Sequence, residues 1–572
     1  MKCSSALLGS LLLVLPGLVL GDTSMERILT SLEAGEISAM EAAGLLEQSV
    51  FDYHGLPSRY TEGAEEVPCG TPALVEAWRL VGDEDSPKAN RPVLSGPHYT
   101  IDSPSGHFKI HWTDSGVDAT NQTYANSIAL AADSAWAVGC DQMGFYQPPP
   151  DNGVGGDDKY DIYVIYISGS TLGYTSPSGE YHPPDSTQDC TASHIAMNNN
   201  ISGTGQRVCT VAHEFKHAVQ FSYDYNEPTW FMENCAVWME EIVYPDINDY
   251  LGYISYGENA LRTPWMDIRS GSMYWYGAFT WPWMMWDRWG YESVRTVWEN
   301  CAAENGNNML DAHSDMFADH GLTFNEFFMD YGAWRWFTAG NWFSGCGMYN
   351  PECALWNPGP RVLAFHDFSD LPASGDEGPY EPDTWGIHWI RVDLADYQDD
   401  WVEMSFNGRD GFEWGLGVIM QDLSGRLSFE WYECDPATGD KTVSVGGSGW
   451  DYAIFFPAFL GMTPLDHYYS FDITSTTGME GSPEVSDQLS LGVSSNPMPA
   501  GGSVTFQMPE AGSAQLKVYD MSGRVAATLL DDNIQAGTHT VQLQGAELSS
   551  GTYFIMLFAD GRMAGQKMVL TR

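Results

Sequence analysis

The sequence is poor in positive charge. Only 25 of its 572 residues are Lys or Arg, against 76 Asp or Glu, so the formal net charge is −51. A surface of this sign repels phosphate groups, which excludes nucleic acids and anionic membrane surfaces as partners. Beyond its first residues the chain also lacks any apolar run of the roughly 18 residues that a membrane-spanning helix needs. No membrane span is therefore expected.

The N-terminus has the features of an export signal. One lysine precedes an apolar run over residues 7–20 that is too short to span a bilayer, and a small residue follows it. We therefore expect residues 1–21 to be a signal peptide. Nine of the ten cysteines remain once Cys3 has left with it. In an oxidising compartment disulfides are expected, with Cys346 and Cys353 as the most local pair.

The chain is too long for one hydrophobic core, and its patterning changes along its length. Apolar residues at helical spacing mark residues 22–95 as a helical leader, either a pro-segment or an N-terminal lobe. Alternating strand and helix patterns over residues 96–365 predict an α+β catalytic domain. Short strands separated by turns over residues 380–475 and 488–572 predict two β-sandwich domains. The expected protein is thus multidomain.

A His-Glu-x-x-His motif lies in a segment patterned as a helix. Residues four apart on a helix point in directions about 40° apart, so His213 and His217 can bind one ion. Glu214 lies about 100° round the helix, which is too far for a ligand but close enough to take a proton from a water molecule. Glu214 is therefore the predicted general base.

A third ligand is predicted downstream of the motif. Fifteen residues separate His217 from Glu233, which leaves room for a turn and a second helix packed against the first. Two histidines and one carboxylate leave the fourth position of Zn²⁺ open, as a catalytic site requires. Asp224 is the alternative oxygen ligand, but it lies where the chain must reverse. Gln220 and Tyr223 occupy the positions at which metzincins have Gly and a third His, which excludes that group.

With these ligands the chain resembles the gluzincin metallopeptidases, among them thermolysin and aminopeptidase N. In aminopeptidase N a Trp-x-x-Glu-x-x-Ala segment supplies the third ligand, and Trp230, Glu233 and Ala236 match it here. The resemblance implies a zincin-like catalytic domain. A Tyr-x-x-Gly-Ala segment resembles the one that carries the catalytic tyrosine of aminopeptidase N, which points to Tyr274 as the oxyanion stabiliser, with Tyr276 in reserve. Val237 replaces an acid that thermolysin uses, so Glu240 or Glu241 is expected to orient a histidine.

Over residues 25–470 the chain resembles a group of secreted bacterial metallopeptidases. The shared features are a Cys-Gly-Thr-Pro segment at 69–72, a Gly-Gly-Asp loop, the zinc helix and the Trp-x-x-Glu segment. The Gly-x-Met-Glu-Asn loop with which aminopeptidases hold a free amino terminus does not precede the zinc helix. The absence of this loop favours endopeptidase action over trimming of N-termini.

The segment around Cys69 resembles the cysteine switch of matrix metalloproteinase pro-domains. There a thiolate occupies the open zinc position and keeps the enzyme silent. A disulfide is the favoured fate of Cys69, because the chain is exported.

The loop at residues 151–158 combines carboxylates with glycines. Such a loop can surround Ca²⁺ with oxygen ligands, and a solvated turn is the alternative. The loop leads into a strongly predicted strand at 161–168. The segments 173–177 and 192–197 follow, and they are candidates for an edge strand that pairs with extended substrate.

The last domain carries four motifs in order. They are Ser-Asn-Pro at 495–497, Val-Tyr-Asp-Met-Ser-Gly-Arg at 518–524, Leu-Ser-Ser-Gly-Thr-Tyr at 548–553 and Lys-Met-Val-Leu at 567–570. Together they resemble the C-terminal sorting domain of type IX (Por) secretion substrates, which has an immunoglobulin-like fold. The resemblance implies export by the type IX secretion machinery, followed by surface attachment or release.

These features predict a secreted zinc-dependent peptidase that hydrolyses protein or peptide substrates. His213, His217 and Glu233 hold the metal, Glu214 is the general base, and Tyr274 stabilises the oxyanion. Two alternatives stay open. One is a surface adhesin with a structural or vestigial metal site, and the other is a metal-dependent hydrolase of a non-peptide ester.

Overall fold

The computed structural model describes most of the chain. The described residues are 23–85, 91–177, 189–255, 257–271, 273–303, 306, 308–342, 351–394, 401–422, 426–446, 449–462, 467–476, 489–499, 501–520, 525–543, 548–559 and 562–571. The expected signal peptide lies outside the described residues, and so does Cys346 of the expected local disulfide.

Helices dominate the chain as far as residue 336. In chain order they are α1 (Ser24–Glu33), α2 (Ala39–Phe51), α3 (Ser58–Thr61), α4 (Thr71–Asp85), α5 (Gln122–Trp136), α6 (Thr204–Gln220), α7 (Thr229–Val243), α8 (Leu251–Ser255), α9 (Tyr274–Gly277), α10 (Thr280–Trp289), α11 (Tyr291–Cys301), α12 (Met309–Asp319) and α13 (Phe324–Trp336). A π-helical segment, Ala137–Gln142, continues α5.

Strands occur in two groups. The first group is β1 (Tyr99–Asp102), β2 (Phe108–Trp112), β3 (Tyr160–Ile165), β4 (Gly173–Pro177) and β5 (Ser193–Asn198). The second is β6 (Val362–Asp367), β7 (Ala373–Asp376), β8 (Trp389–Asp393), β9 (Trp401–Gly408), β10 (Trp414–Gln421), β11 (Leu427–Glu433), β12 (Asp440–Gly446), β13 (Tyr452–Phe459), β14 (Tyr469–Thr476), β15 (Ser490–Val493), β16 (Met498–Pro499), β17 (Ser503–Met508), β18 (Gly512–Tyr519), β19 (Val525–Ile534), β20 (Gly537–Gln542), β21 (Gly551–Ala559) and β22 (Arg562–Thr571).

The described residues up to 250, together with those in the range 269–316, form one compact unit around the first sheet. The strand order is β1-β2-β3-β5-β4. The two central pairings, β2–β3 and β3–β5, are parallel, whereas β1 and β4 run antiparallel to their neighbours. Central parallel strands are covered on both faces, and β3 and β5 accordingly have few exposed residues. The strands expected at 161–168 and 192–197 are confirmed.

Two buried helices in this unit, α6 and α7, carry the metal motif and pack against each other. α6 is buried without a break from Cys209 to Gln220, and α7 from Thr229 to Glu241. Helices buried on every side belong to the interior of a protein, so their polar side chains need partners inside it. The packed pair of helices expected from the sequence is confirmed.

The leader helices α1 to α4 have a small apolar core of their own. Leader side chains such as Ile28, Leu46 and Leu74 make up most of this core. It also takes in Tyr174 of β4 and Ala196 of β5, which are fully or almost fully buried. The leader thus lies against one edge of the sheet.

The described residues in the ranges 251–268 and 317–571 form the second unit, which is rich in β-structure. One sheet has the order β19-β18-β21-β22-β11-β10-β13-β8-β6, with β16 beside β22. The smaller sheets are β12-β9-β14-β7 and β15-β17-β20. Two apolar cores lie within this unit, one over residues 368–473 and one over residues 489–570.

The chain therefore combines a mixed helical and α+β region with several β-sheet domains towards its C-terminus, and this much of the expected fold is confirmed. Among the described helices, none has the length and apolar character needed to cross a membrane.

Candidate metal centre

Four buried side chains bring their ligating atoms together inside the first unit. They are Cys69, His213, His217 and Glu233, whose ligating atoms all lie within 4.8 Å of one another. One carboxylate oxygen of Glu233 is 3.2 Å from His213 Nε2, and the other is 3.0 Å from His217 Nε2. Cys69 Sγ is 3.5 Å from His217 Nε2. This four-residue cluster contains the three ligands expected from the sequence and one thiol besides.

The spacing of the cluster fits a zinc ion. Ligand atoms that surround zinc tetrahedrally at about 2.0–2.3 Å lie about 3.3–3.6 Å from one another. The observed separations of 3.0, 3.2 and 3.5 Å are close to this. Within the described part of the chain, His213 Nε2 and both Glu233 oxygens are buried atoms without a hydrogen-bond partner. Buried polar atoms that converge in this way fit a shared cation.

The charge of Glu233 leads to the same conclusion. Its side chain is fully buried, and an unpaired carboxylate in such a place would cost about 3–5 kcal/mol. Burial alone would raise the pKa of Glu233, but His217 and His213 hold this pKa below its usual range. The carboxylate is thus charged and faces two imidazole nitrogens, which is the ligand set that a divalent cation prefers.

Two neighbouring side chains orient the histidines. Glu240 Oε1 lies 2.7 Å from His213 Nδ1, and Gln220 Oε1 lies 2.8 Å from His217 Nδ1. The Gln220 amide also donates to the Met232 carbonyl at 3.0 Å. Each contact fixes the tautomer that turns Nε2 towards the cluster, because Nδ1 must carry the proton. Of the two acids considered in the sequence, Glu240 therefore makes this contact.

Glu214 lies beside the cluster and against strand β4. Its Oε2 accepts hydrogen bonds from Thr71 Oγ1 at 3.0 Å and Thr175 Oγ1 at 2.9 Å. Its Oε1 is buried without a hydrogen-bond partner. A Cβ atom at Gly173 would lie 3.0 Å from Glu214 Cγ, so glycine is needed where this side chain passes the strand. One carboxylate oxygen is thus held by two hydroxyls.

The two candidate tyrosines lie on the short helix α9, which packs on α7. Asn234, next to Glu233, donates to the Trp275 carbonyl at 2.7 Å and ties the two helices together. Tyr274 and Tyr276 are both buried. The ring of Tyr276 stacks on His213 with 6.2 Å between centroids. The oxyanion role of Tyr274 stays a prediction, and the reserve candidate, Tyr276, is in contact with an expected metal ligand.

Two alternatives from the sequence look different in the structure. Cys69 is a free, buried thiol, so the disulfide expected for it is wrong; the segment that carries it faces the metal cluster instead of another cysteine.

Asp224, the alternative ligand, accepts a hydrogen bond from the Asn226 backbone amide at 2.7 Å and takes no part in the cluster. Burial raises the pKa of Asp224 to about 8.

The acidic loop at residues 151–158 is paired with cations of the chain itself. Asp151 pairs with Arg91, and Asp157 lies 2.8 Å from Lys109 and 2.6 Å from Lys159. Hydrogen bonds from these two lysines lower the pKa of Asp157. A calcium ion at this loop stays a prediction.

Comparison with known proteins matches two segments of the chain to family models. Residues 84–338 match the model of a family of unknown function (DUF6055), and residues 496–571 match the model of the secretion system C-terminal sorting domain. His213, His217 and Glu233 fall inside the first match, whereas Cys69 precedes it. No curated protein matches the chain.

The solved structures that match do so weakly. A GH2 β-galacturonidase from Eisenbergiella tayi is 8% identical, with a TM-score of 0.12 over 35% of this chain and 36% of that one. Tandem CBM51 modules of a family 98 glycoside hydrolase from Streptococcus pneumoniae are 8% identical, with a TM-score of 0.12 over 33% of this chain and 85% of that one. The chain spans about a third of the galacturonidase's length. Likenesses this weak carry no conclusion about fold or function.

The sorting domain confirms the export route expected from the C-terminal motifs. The protein is a substrate of the type IX secretion machinery and is secreted or attached to the cell surface.

Sequence reasoning missed the threonine hydroxyls that donate hydrogen bonds to Glu214. It also missed the side-chain amide of Gln220, which contacts His217. Gln220 follows His217 by three residues on the same helix, so helical spacing alone could have found it. Thr71 and Thr175 lie 143 and 39 positions away from Glu214 in sequence, and no local pattern indicates their contact.

Loss of one imidazole should weaken metal binding strongly. The purified chain is expected to hold about one zinc per molecule, and His217→Ala much less after dialysis against a chelator, because the ligand set loses one of its two imidazoles. Elemental analysis after gel filtration measures the ratio. His388→Ala removes a buried histidine of the second unit, hydrogen-bonded to Tyr469, and should leave the zinc content unchanged. Equal zinc in His217→Ala and the parent would refute the site.

The contact between Glu240 and His213 should contribute to metal affinity. Glu240→Ala removes the acceptor for Nδ1 and is expected to weaken zinc binding about 10- to 100-fold, as loss of such outer contacts does. Competition with a chromogenic chelator measures the change. Glu240→Gln keeps an oxygen acceptor and should recover most of the affinity. If the alanine variant binds zinc as tightly as the parent, Glu240 does not position His213.

Proposed function

We propose that the protein is a secreted zinc-dependent peptidase of the zincin type, and that it acts as an endopeptidase. The main observation in support is that His213, His217 and Glu233 converge. Glu214 lies beside them, on the same helix as the histidines. Two imidazoles and one carboxylate are the ligands of a hydrolytic zinc site, and a carboxylate next to the first histidine is its general base.

The chain's own residues divide the work of peptide hydrolysis. Bound zinc would act as a Lewis acid towards the scissile carbonyl and would lower the pKa of a water molecule. Glu214 then accepts a proton from the attacking water at its unpartnered Oε1 and gives it to the leaving amine. Thr175 holds the other oxygen, which fixes the carboxylate plane. Tyr274, or Tyr276 against His213, stabilises the developing negative charge.

A second candidate function has one observation in its favour. Zinc sites with four protein ligands are structural, and Cys69 makes the described cluster a four-ligand set. An exported adhesin with a structural metal would have such a site. The two functions can be distinguished by substitution of Glu214, because only peptide hydrolysis depends on this residue.

Loss of the general base should abolish hydrolysis without loss of metal. Both test chains carry Cys69→Ala, so that this thiol does not compete with substrate. Adding Glu214→Gln is expected to lower casein hydrolysis about 10²- to 10⁴-fold, because a glutamine cannot accept the proton. Zinc content should stay at about one per chain. Fluorescent casein, with and without phenanthroline, is a suitable substrate.

The matched control is Glu430→Gln, a buried glutamate in β11 that accepts a hydrogen bond from the Tyr432 hydroxyl. It should leave hydrolysis unchanged. Full activity in the Glu214→Gln chain would refute the peptidase assignment. Zinc binding with no hydrolysis in any of these chains would favour the structural site.

The two tyrosines can be separated by removal of one hydroxyl at a time. If Tyr274 stabilises the oxyanion, Tyr274→Phe lowers kcat about 10²- to 10³-fold with little change in KM, because the interaction exists only in the transition state. Tyr276→Phe should then have a small effect. The reverse result would transfer the role to Tyr276, and two fully active variants would exclude both.

A further inference from the structure

The described centre is sealed. His213 is 3% exposed, and His217, Glu214 and Glu233 are not exposed at all. A cavity beside Cys69 has a volume of about 40 Å³, enough for a few water molecules. Sites that bind extended ligands are of the order of 300 Å³ or more. No peptide could reach these groups unless part of the chain moves.

The leader closes the centre. Most residues that line the cavity belong to residues 23–73, and Trp275 and Tyr276 line it as well. The leader has its own apolar core, which lies against β4 and β5.

Residues 68–70 take the place of an extended substrate on the edge strand. The Leu172 amide donates to the Pro68 carbonyl at 2.7 Å, and the Gly70 amide donates to the Gly173 carbonyl at 3.0 Å. These bonds use the side of β4 that does not pair with β5. Addition of a strand to a sheet edge is a common way to bind a peptide.

The same segment reaches both chemical parts of the centre. Cys69 contributes its thiol to the four-residue cluster, and Thr71 donates a hydrogen bond to Glu214. A Cβ atom at Gly70 would lie 2.7 Å from a Val50 methyl and 3.1 Å from Tyr174 Cβ, so only glycine lets the segment lie this close to the strand. The Cys-Gly-Thr sequence therefore meets three separate geometric requirements.

From these contacts we propose that residues 68–71 are a built-in inhibitor of the centre, with the Cys69 thiolate as the fourth metal ligand. The inference rests on the proposed function, of which it is the regulation. On binding, the Cys69 thiol gives its proton to solvent and its sulfur fills the position that water needs. Release of the segment frees the metal position and the edge of β4, and it removes the Thr71 hydrogen bond from Glu214.

The separation of 3.5 Å between Cys69 Sγ and His217 Nε2 supports this ligand role. A sulfur at about 2.3 Å and a nitrogen at about 2.05 Å from one tetrahedral zinc are about 3.5 Å apart. Ligating atoms of His213 and Glu233 lie within 4.8 Å of the same sulfur. The thiol is thus placed as a ligand of the same ion.

The test compares the full chain with Cys69→Ala. Both proteins are reloaded with Co²⁺, whose near-ultraviolet charge-transfer band reports a thiolate ligand. The full chain should have the band. Cys69→Ala should bind one cobalt without it and should hydrolyse casein about tenfold faster or more in the zinc form, because the blocked fraction is removed. Cys434→Ala, a buried thiol of the second unit, should keep the band and the low activity.

The outcomes separate the inference from the proposed function. A full chain that binds cobalt without the band, or a band that persists in Cys69→Ala, overturns the ligand. Equal hydrolysis by the two chains overturns the inhibition. If neither chain hydrolyses casein, the peptidase proposal fails, and the inhibition with it, while the band still decides the ligand. Zinc-edge X-ray absorption of the unsubstituted chain gives that answer without mutation. One sulfur neighbour of the zinc would support Cys69 as a ligand, and the absence of a sulfur neighbour would refute it.

Discussion

A buried carboxylate facing two imidazoles is the interaction on which the first unit depends. Glu233 is fully enclosed, and only His213 and His217, or a cation between the three, offset its charge. That requirement fixes how α6 and α7 lie together, because both Glu233 oxygens must face the same helix. It also explains why Glu240 and Gln220 contact the Nδ1 atoms of the imidazoles, opposite the Nε2 atoms that face Glu233. A histidine that could rotate freely would leave the Glu233 carboxylate without its partner.

The edge strand β4 links the metal centre to the rest of the unit. Thr175 on this strand holds Glu214, and Gly173 gives that side chain room to pass. The opposite side of the strand carries the leader segment at Gly70. Glu214, strand β4 and the leader are therefore joined by hydrogen bonds. Such a compact arrangement makes the accessibility of the centre sensitive to the position of the leader.

Contacts between residues close in the sequence could be predicted, whereas contacts between residues far apart in the sequence could not. The pairing of His213 with His217 is set by the pitch of one helix, and Glu233 follows after a turn that the Pro228 segment makes recognisable, so these residues were found together. The contacts of Thr71 and Cys69 join positions more than 140 residues apart, and only the folded sheet brings them together. Cys69 was expected in a disulfide because the sequence indicates export to an oxidising compartment. The sequence does not indicate which groups surround a given thiol.

The position of Cys69 reconciles a free thiol with an exported chain. Exposed thiols in oxidising surroundings pair or oxidise, but this sulfur is 2% exposed and lies among groups that bind a cation. The same enclosure surrounds Glu214, which is not exposed at all. A chain of the type IX route passes through the export machinery. The proposed closure by the leader would protect the thiol during that passage and would also keep the proposed hydrolytic centre inactive, because one structural feature encloses both groups.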